Sequence, residues 1–239
     1  MKKIIYMLAL SGMMSSAWAA ENWNYQHPEA WAKIDSRFAA CTGMNQSPIN
    51  IEHSVKANID PLKFNYHTLI QRLTNNGHTV QVDFTQGGEL NLDGEQFELK
   101  QFHLHTPSEN TIKGKSYPLE IHFVHANSKG ELAVVAMMYE QGKRNQQLAN
   151  MWEYLPKQAG QSLQLNKPQP VHEMLPKHLG YFRFSGSLTT PPCTEGVRWL
   201  VLKEIQQASK QQIENFAKVL GHPNNRPIQP LYGRVVVEN

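Results

Sequence analysis

The chain has 239 residues, with 23 Lys and Arg against 20 Asp and Glu, a formal net charge of +3 and 40% hydrophobic residues. A charge this near zero, without any block of like charges, gives no electrostatic reason to expect nucleic acid or an anionic lipid surface as partner. The length suits one large domain with a sizeable core.

The amino terminus has the composition of a secretory signal peptide. Lys2 and Lys3 precede an apolar run, and residues 17–19 (Ala-Trp-Ala) carry the small side chains of a cleavage site. The apolar run is shorter than the roughly 20 residues that cross a bilayer, which argues against a membrane anchor. We predict a signal peptide over residues 1–19, a mature domain over residues 20–239 without a membrane span, and a periplasmic location (secretion if there is no outer membrane).

Two cysteines, Cys41 and Cys193, are present in the chain. In an oxidising compartment such a pair predicts a disulfide, whereas a zinc site would favour closely spaced pairs such as CxxC. The bond would close a loop of about 150 residues, for which the chain-entropy model gives about 5 kcal/mol of stabilisation.

Period-two alternation of apolar and polar residues dominates the middle of the chain and is typical of half-buried strands. The predicted strands are 79–84, 97–105, 119–125, 132–139, 181–184 and 197–202. Two amphipathic helices are predicted, one over Asn145–Leu155 and one from Ser209, with a capping box, to Gly221. These patterns indicate a β-rich single domain with peripheral helices.

The segment KQFHLH (100–105) places His103 and His105 on one face of its strand, with about 6–7 Å between their Cα atoms. This spacing suits two ligands of one ion, although hydrogen-bonded or exposed histidine pairs are more common. If the next predicted strand pairs antiparallel, His122 faces both residues, and three imidazoles leave the fourth position of a catalytic zinc site open. Gln101 and Glu120, two residues before His103 and His122, can accept the ring N–H that ligation leaves free.

The chain resembles the α-class carbonic anhydrases. The motifs are QFHLH, then SEN (108–110), EIH (120–122) and GSLTTPP (186–192), together with NQSPINI (45–51), NNGH (75–78) and NRPIQPLYGR (225–234). The resemblance implies a mainly β (α+β) single domain, built on a large, mostly antiparallel twisted sheet with short peripheral helices. It implies Zn²⁺ held by His103, His105 and His122, and reversible carbon dioxide hydration by attack of zinc-bound hydroxide.

The same resemblance assigns roles around the metal. Thr189 would donate its hydroxyl to Glu109 and orient the nucleophile, and Thr190 would lie beside the product. His78 would be the proton shuttle, since an ordinary histidine titrates near neutrality. An apolar wall for carbon dioxide would comprise Val124, Val134, Leu188, Val197 and Trp199, and a solvent network would comprise Tyr25, Asn76 and Gln81.

Some features leave alternatives open or depart from the family. Thr106 stands where many animal relatives have tryptophan, and Asn110 replaces a histidine that follows the buried glutamate; we expect neither change to touch a ligand. The rival functions are a non-catalytic binding protein of the same fold, a zinc-buffering protein and incidental ester hydrolysis. The oligomeric state, monomer or homodimer, is not predicted. The remaining histidines, which include His53, His125 and His222, are assigned no chemistry.

Overall fold

The computed structural model describes residues 23–239, so the predicted signal peptide lies outside the described residues. Strands make up most of the regular structure. In chain order they are β1 (Asn50–Ile51), β2 (Val55–Lys56), β3 (Lys63–Tyr66), β4 (Leu69–Asn75), β5 (Val80–Phe84), β6 (Gly88–Leu92), β7 (Glu95–His105), β8 (Thr111–Ile112), β9 (Leu119–Ala126), β10 (Leu132–Gln141), β11 (Ser162–Pro170), β12 (Tyr181–Ser187), β13 (Glu195–Leu202), β14 (Gln206–Ala208) and β15 (Val237–Glu238).

One large sheet organises the chain, in the order β11-β4-β5-β7-β9-β10-β13-β12-β15-β2, with β3, β6 and β14 paired alongside. Most neighbouring strands run antiparallel, while β10 runs parallel to β13 and β14, and β15 runs parallel to β2. The predicted mainly β fold with a mostly antiparallel sheet is confirmed, and all six predicted strands are present. The sequence patterns missed β3, β4, β6 and β11 as well as the strands of two or three residues. In β11, Pro168 and Pro170 interrupt the alternation in a way that an edge strand tolerates.

The central strands are buried on both faces, and the two faces have different roles. Phe102, Leu104 and Phe123 project into the larger hydrophobic core. On the opposite face a smaller core contains Val134 and Trp199. A slip of one residue between β7 and β9 would exchange these faces, so the hydrophobic pattern also decides which side receives the histidines.

Short helices lie at the periphery: α1 (Trp31–Ile34), α2 (Gln146–Trp152) and α3 (Lys210–Leu220). The capping box at Ser209 and the left-handed Gly221 that follows α3 are as predicted. Helix α2 ends at Trp152, three residues before the predicted end. Pro156 has no N–H to donate to the carbonyl of Trp152, and in a helix its ring would clash with that carbonyl. Among residues 23–239, these helices are too short to cross a bilayer.

The predicted disulfide between Cys41 and Cys193 is present, closing a sequence separation of 152 residues. It packs in a third hydrophobic cluster with Trp23, Trp31 and Phe38. The N-terminal segment is thereby fastened to the loop that follows β12.

Candidate metal centre

Three histidines converge on the face of the sheet that carries the smaller core. His103 on β7 is the direct register partner of His122 on β9, and His105 follows two residues later on the same face. The ring centroids lie 5.0, 5.4 and 4.5 Å apart. One nitrogen from each ring lies within 4.8 Å of the others, which is the only such cluster of metal-ligating side chains in the described chain.

The second nitrogen of each ring is fixed by an acceptor. Nδ1 of His103 donates to Oε1 of Gln101 at 2.8 Å, and Nε2 of His122 donates to Oε1 of Glu120 at 2.8 Å. Nδ1 of His105 donates to the carbonyl oxygen of Asn224 at 2.6 Å. Each ring therefore presents a lone pair, on Nε2 of His103, Nε2 of His105 and Nδ1 of His122, to the space between them.

The electrostatic environment favours the neutral form of all three imidazoles. Burial lowers the pKa of His103 and His122 well below the ordinary histidine value, and the neighbouring imidazoles lower it further. Burial also lowers the pKa of His105, although the hydrogen bond to Asn224 opposes this. Neutral imidazoles are the form that binds a metal ion.

Two buried atoms at the centre lack a hydrogen-bond partner within the described residues, Nε2 of His105 and Oε2 of Glu109. They lie 3.5 Å apart, and Oε2 is 3.8 Å from Nδ1 of His122. An unsatisfied buried polar atom costs free energy, so its presence needs an explanation. A cation among the three nitrogens satisfies His105, and a set of three imidazoles suits zinc, so the residues fit that metal.

Glu120 is held by four donors. Its Oε2 accepts the backbone N–H groups of Glu109 and Asn110 at 2.6 and 2.9 Å, and its Oε1 accepts the Asn110 side chain at 2.7 Å beside His122. Burial raises the pKa of Glu120, while these donors favour the ionised form. Asn110 thus avoids the ligands, as expected, yet it orients the carboxylate that orients His122.

Glu109 lies next to the histidines and is also buried. Burial raises its pKa well above the usual value, an effect that hydrogen bonding by the Thr189 hydroxyl and by the backbone N–H of Arg226 partly offsets. The Arg226 N–H donates to Oε1 of Glu109 at 2.9 Å. The guanidinium of Arg226 donates to the carbonyl oxygens of Cys41 and Ser47, which links this site to the disulfide segment.

The residues predicted to form an apolar wall all belong to or pack against the smaller core. Trp199 stands edge-on to His122, with ring centroids 4.9 Å apart. Its indole N–H donates to the carbonyl oxygen of Ser187, which fixes the ring. The complete set is Val124, Val134, Leu188, Val197 and Trp199.

The NNGH turn carries His78 between β4 and β5. The His78 ring stacks on Trp23, with centroids 3.8 Å apart and planes 7° apart. Asn76 accepts the backbone N–H groups of His78 and Thr79 through Oδ1, both at 2.9 Å, so its side chain shapes the turn. Gln81 is the register partner of His103, and its amide donates to Asp83 at 3.0 Å.

Tyr25 lies in the same aromatic group, with its ring 5.4 Å from that of Trp23. Burial raises the pKa of Tyr25 well above the usual value, and the nearby charge of Glu109 adds to this. The tyrosine hydroxyl therefore stays protonated.

Sequence reasoning missed three contributors: Asn224, Arg226 and the stacking of Trp23 on His78. Asn224 and Arg226 lie over 100 positions from the residues they orient. No local periodicity marks such contacts. The motif NRPIQPLYGR (225–234) contributed to the family resemblance, but it assigned no role to Arg226 and does not include Asn224.

Comparisons with known proteins agree with this geometry. The family model described as eukaryotic-type carbonic anhydrase matches residues 26–239. A carbonic anhydrase of Pectobacterium atrosepticum is 47% identical, covering 98% of this chain and 98% of its own length. One from Neisseria gonorrhoeae is 46% identical, covering 91% and 88%.

Solved structures give the same result. The α-carbonic anhydrase of Photobacterium profundum superposes with a TM-score of 0.86 at 48% identity, covering 90% of this chain and 100% of that one. Identity of this extent, over nearly all of the described residues, shows shared ancestry as well as a shared fold. The chain belongs to the eukaryotic-type carbonic anhydrase family and is one of its enzymes.

Proposed function

We propose that the enzyme hydrates carbon dioxide reversibly to bicarbonate and a proton at a zinc ion held by His103, His105 and His122. The observation that carries this is the set of three converging lone pairs, each fixed because the other ring nitrogen donates to Gln101, Asn224 or Glu120. Bound zinc supplies a Lewis acid that generates a nucleophile from water at neutral pH, as is established for carbonic anhydrases in general.

Glu109 and Thr189 control a proton beside the ligands. The Thr189 hydroxyl would donate to the carboxylate of Glu109, a contact that favours the ionised carboxylate, and the threonine oxygen would be left to accept the proton of the attacking group. Because Glu109 is also held by the backbone N–H of Arg226, it keeps this orientation. Thr190 lies next in the chain and would contact the product anion.

The apolar wall receives the substrate. Carbon dioxide carries no charge and no hydrogen-bond donor, so a surface without polar groups competes well with water for it. Val134, Val197 and Trp199 are each no more than 2% exposed, and Trp199 borders His122 directly. Val124 and Leu188 would complete this surface.

His78 would carry the product proton to solvent. Its ring lies on Trp23, within the aromatic group that includes Tyr25. Asn76 shapes the turn of His78, and Gln81 lies beside His103, so Tyr25, Asn76 and Gln81 would order the connecting water.

We also propose that residues 1–19 form an export signal, that residues 20–239 form the catalytic domain, and that the enzyme works in the periplasm as a monomer or homodimer. The disulfide supports an oxidising compartment.

Replacement of one ligand tests the proposal. His105→Ala should abolish tight zinc binding and lower stopped-flow carbon dioxide hydration by several orders of magnitude. The exposed His178→Ala is the matched control and should retain both. Equal hydration rates for wild type and His105→Ala would overturn the proposal.

A further inference from the structure

The turn that carries His78 is tied to a distant segment, residues 222–224. Nε2 of His222 lies 3.3 Å from the carbonyl oxygen of Gly77, across 145 positions, and can donate to it when the ring carries its proton on Nε2. The side chain of Asn224 donates to the next carbonyl, that of His78, at 3.1 Å. Two consecutive carbonyls of the turn are therefore held by side chains of the same segment.

The turn is one that needs such support. Gly77 has a φ of +88°. Because glycine adopts positive and negative φ about equally, this residue can leave the turn conformation when its hydrogen bonds are lost. Asn75 and Asn76 hold the amide side of the turn through their side-chain oxygens. The carbonyl side is held by His222 and Asn224, so loss of His222 leaves the peptide immediately before His78 held only through its N–H, by Asn76.

His222 is exposed, yet both of its ring nitrogens face carbonyl oxygens. Nδ1 lies 2.9 Å from the oxygen of Pro223, in addition to the contact of Nε2 with Gly77. Its ring also lies 6.3 Å from that of Tyr25. The histidine is thus placed between the turn and the aromatic group on which the His78 ring stacks.

We propose that His222 is a positioning residue for proton transfer: by donating to Gly77 it holds the turn so that His78 stays stacked on Trp23. The inference rests on the proposed shuttle role of His78. His222 does not contact His103, His105 or His122 in this scheme, so it acts on proton export and leaves hydration itself unchanged.

The test compares two rate constants in single and double variants. kcat measured in dilute buffer reports proton transfer, whereas kcat/KM reports the hydration step. His222→Ala should lower kcat in dilute buffer by about threefold. Loss of one hydrogen bond can reduce the population of the native turn conformation by a factor of this size. kcat/KM and zinc content should be unchanged, and concentrated imidazole buffer should restore kcat.

Three further variants make the result specific. His222→Gln keeps a donor for the Gly77 carbonyl and should retain most of kcat, and the exposed His53→Ala should match wild type. In a His78→Ala background, His222→Ala should have no further effect, because it acts through His78.

An unchanged kcat in His222→Ala, a parallel fall in kcat/KM, or a further loss in the His78→Ala background would each overturn the inference. If His78→Ala itself leaves kcat in dilute buffer unchanged, the shuttle proposal fails instead, so the two failures are distinguishable.

Discussion

The backbone carbonyl of Asn224 accepts a 2.6 Å hydrogen bond from Nδ1 of His105, although 119 positions separate the two residues. The side chain of Asn224 holds this carbonyl in place. Its Oδ1 accepts the N–H of Thr106 at 2.7 Å, and its Nδ2 donates to the carbonyl of Leu104 at 2.9 Å. The orientation of one proposed ligand thus depends on the docking of the C-terminal segment.

Asn224→Ala should therefore weaken zinc binding. Groups that orient metal ligands typically contribute about 10–100-fold in affinity, and we expect a loss in this range. Competition with a chromophoric chelator measures the Kd, and Asn225→Ala is the control because it leaves these bonds intact. An unchanged Kd in Asn224→Ala would show that the backbone alone holds the carbonyl.

Glu120→Gln should have a similar effect by a different route. The carboxylate of Glu120 accepts four hydrogen bonds. In glutamine one of the two oxygens becomes an NH₂ group, which is itself a donor and would face one of these donors without an acceptor. We expect zinc affinity to fall about 10–100-fold. Asn110→Ala, which removes one donor, should lose less, and Glu214→Gln on the surface of α3 should lose nothing. The reverse order of Asn110→Ala and Glu120→Gln would contradict this account.

Acid should destabilise the protein through His125, which lies on the face of the sheet opposite to His103, His105 and His122. Nδ1 donates to the carbonyl of Ala133 and Nε2 accepts the hydroxyl of Tyr66 at 2.6 Å, and burial lowers the pKa of His125 to about 4. The unfolded chain has the ordinary histidine pKa near 6.5, so between these values it binds more protons than the folded protein. This contribution is complete above pH 6.5 and is lost as pH falls towards 4, by up to about 3 kcal/mol.

Urea unfolding at pH 7, 5.5 and 4 measures this loss. His125→Phe should be less stable at pH 7, because Tyr66 and Ala133 lose their partner, but its stability should depend less on pH. A pH dependence equal to that of wild type would assign the loss to other groups.

Reduction of the disulfide should loosen the loop of Thr189 before it unfolds the sheet. The loop is closed by the bond from the Cys193 N–H to the carbonyl of Thr190, and the Gln46 side chain donates to the Cys193 carbonyl. Cys41→Ala/Cys193→Ala should unfold with about 2–5 kcal/mol less free energy. Hydration activity should fall at reductant concentrations that leave the far-ultraviolet circular dichroism unchanged. Full activity in completely reduced protein would contradict this.

Period two was sufficient to predict the strands that carry His103, His105 and His122, because every second residue of a strand shares a face. It also placed Gln101 and Glu120 next to their histidines. The end of α2 was harder to predict, because Pro156, which lies outside the helix, determines it. The strand β11 was harder to predict because its prolines are compatible with a strand only at the edge of a sheet. The stacking of Trp23 on His78 joins segments 55 positions apart and leaves no trace in either local pattern.

Local sequence thus specified the strands, the capped helix α3 and the residue types of the site, since these follow from spacing along one stretch of chain. Folding decided which ring nitrogen of His105 and His122 faces inward. The acceptor of His105 is a carbonyl of residue 224, and the carboxylate of Glu120, which accepts from His122, is itself held by Glu109 and Asn110. Folding also decided that Nε2 of His105 and Oε2 of Glu109 remain buried without a partner. Such a state depends on the arrangement of all surrounding groups, and no single segment encodes it.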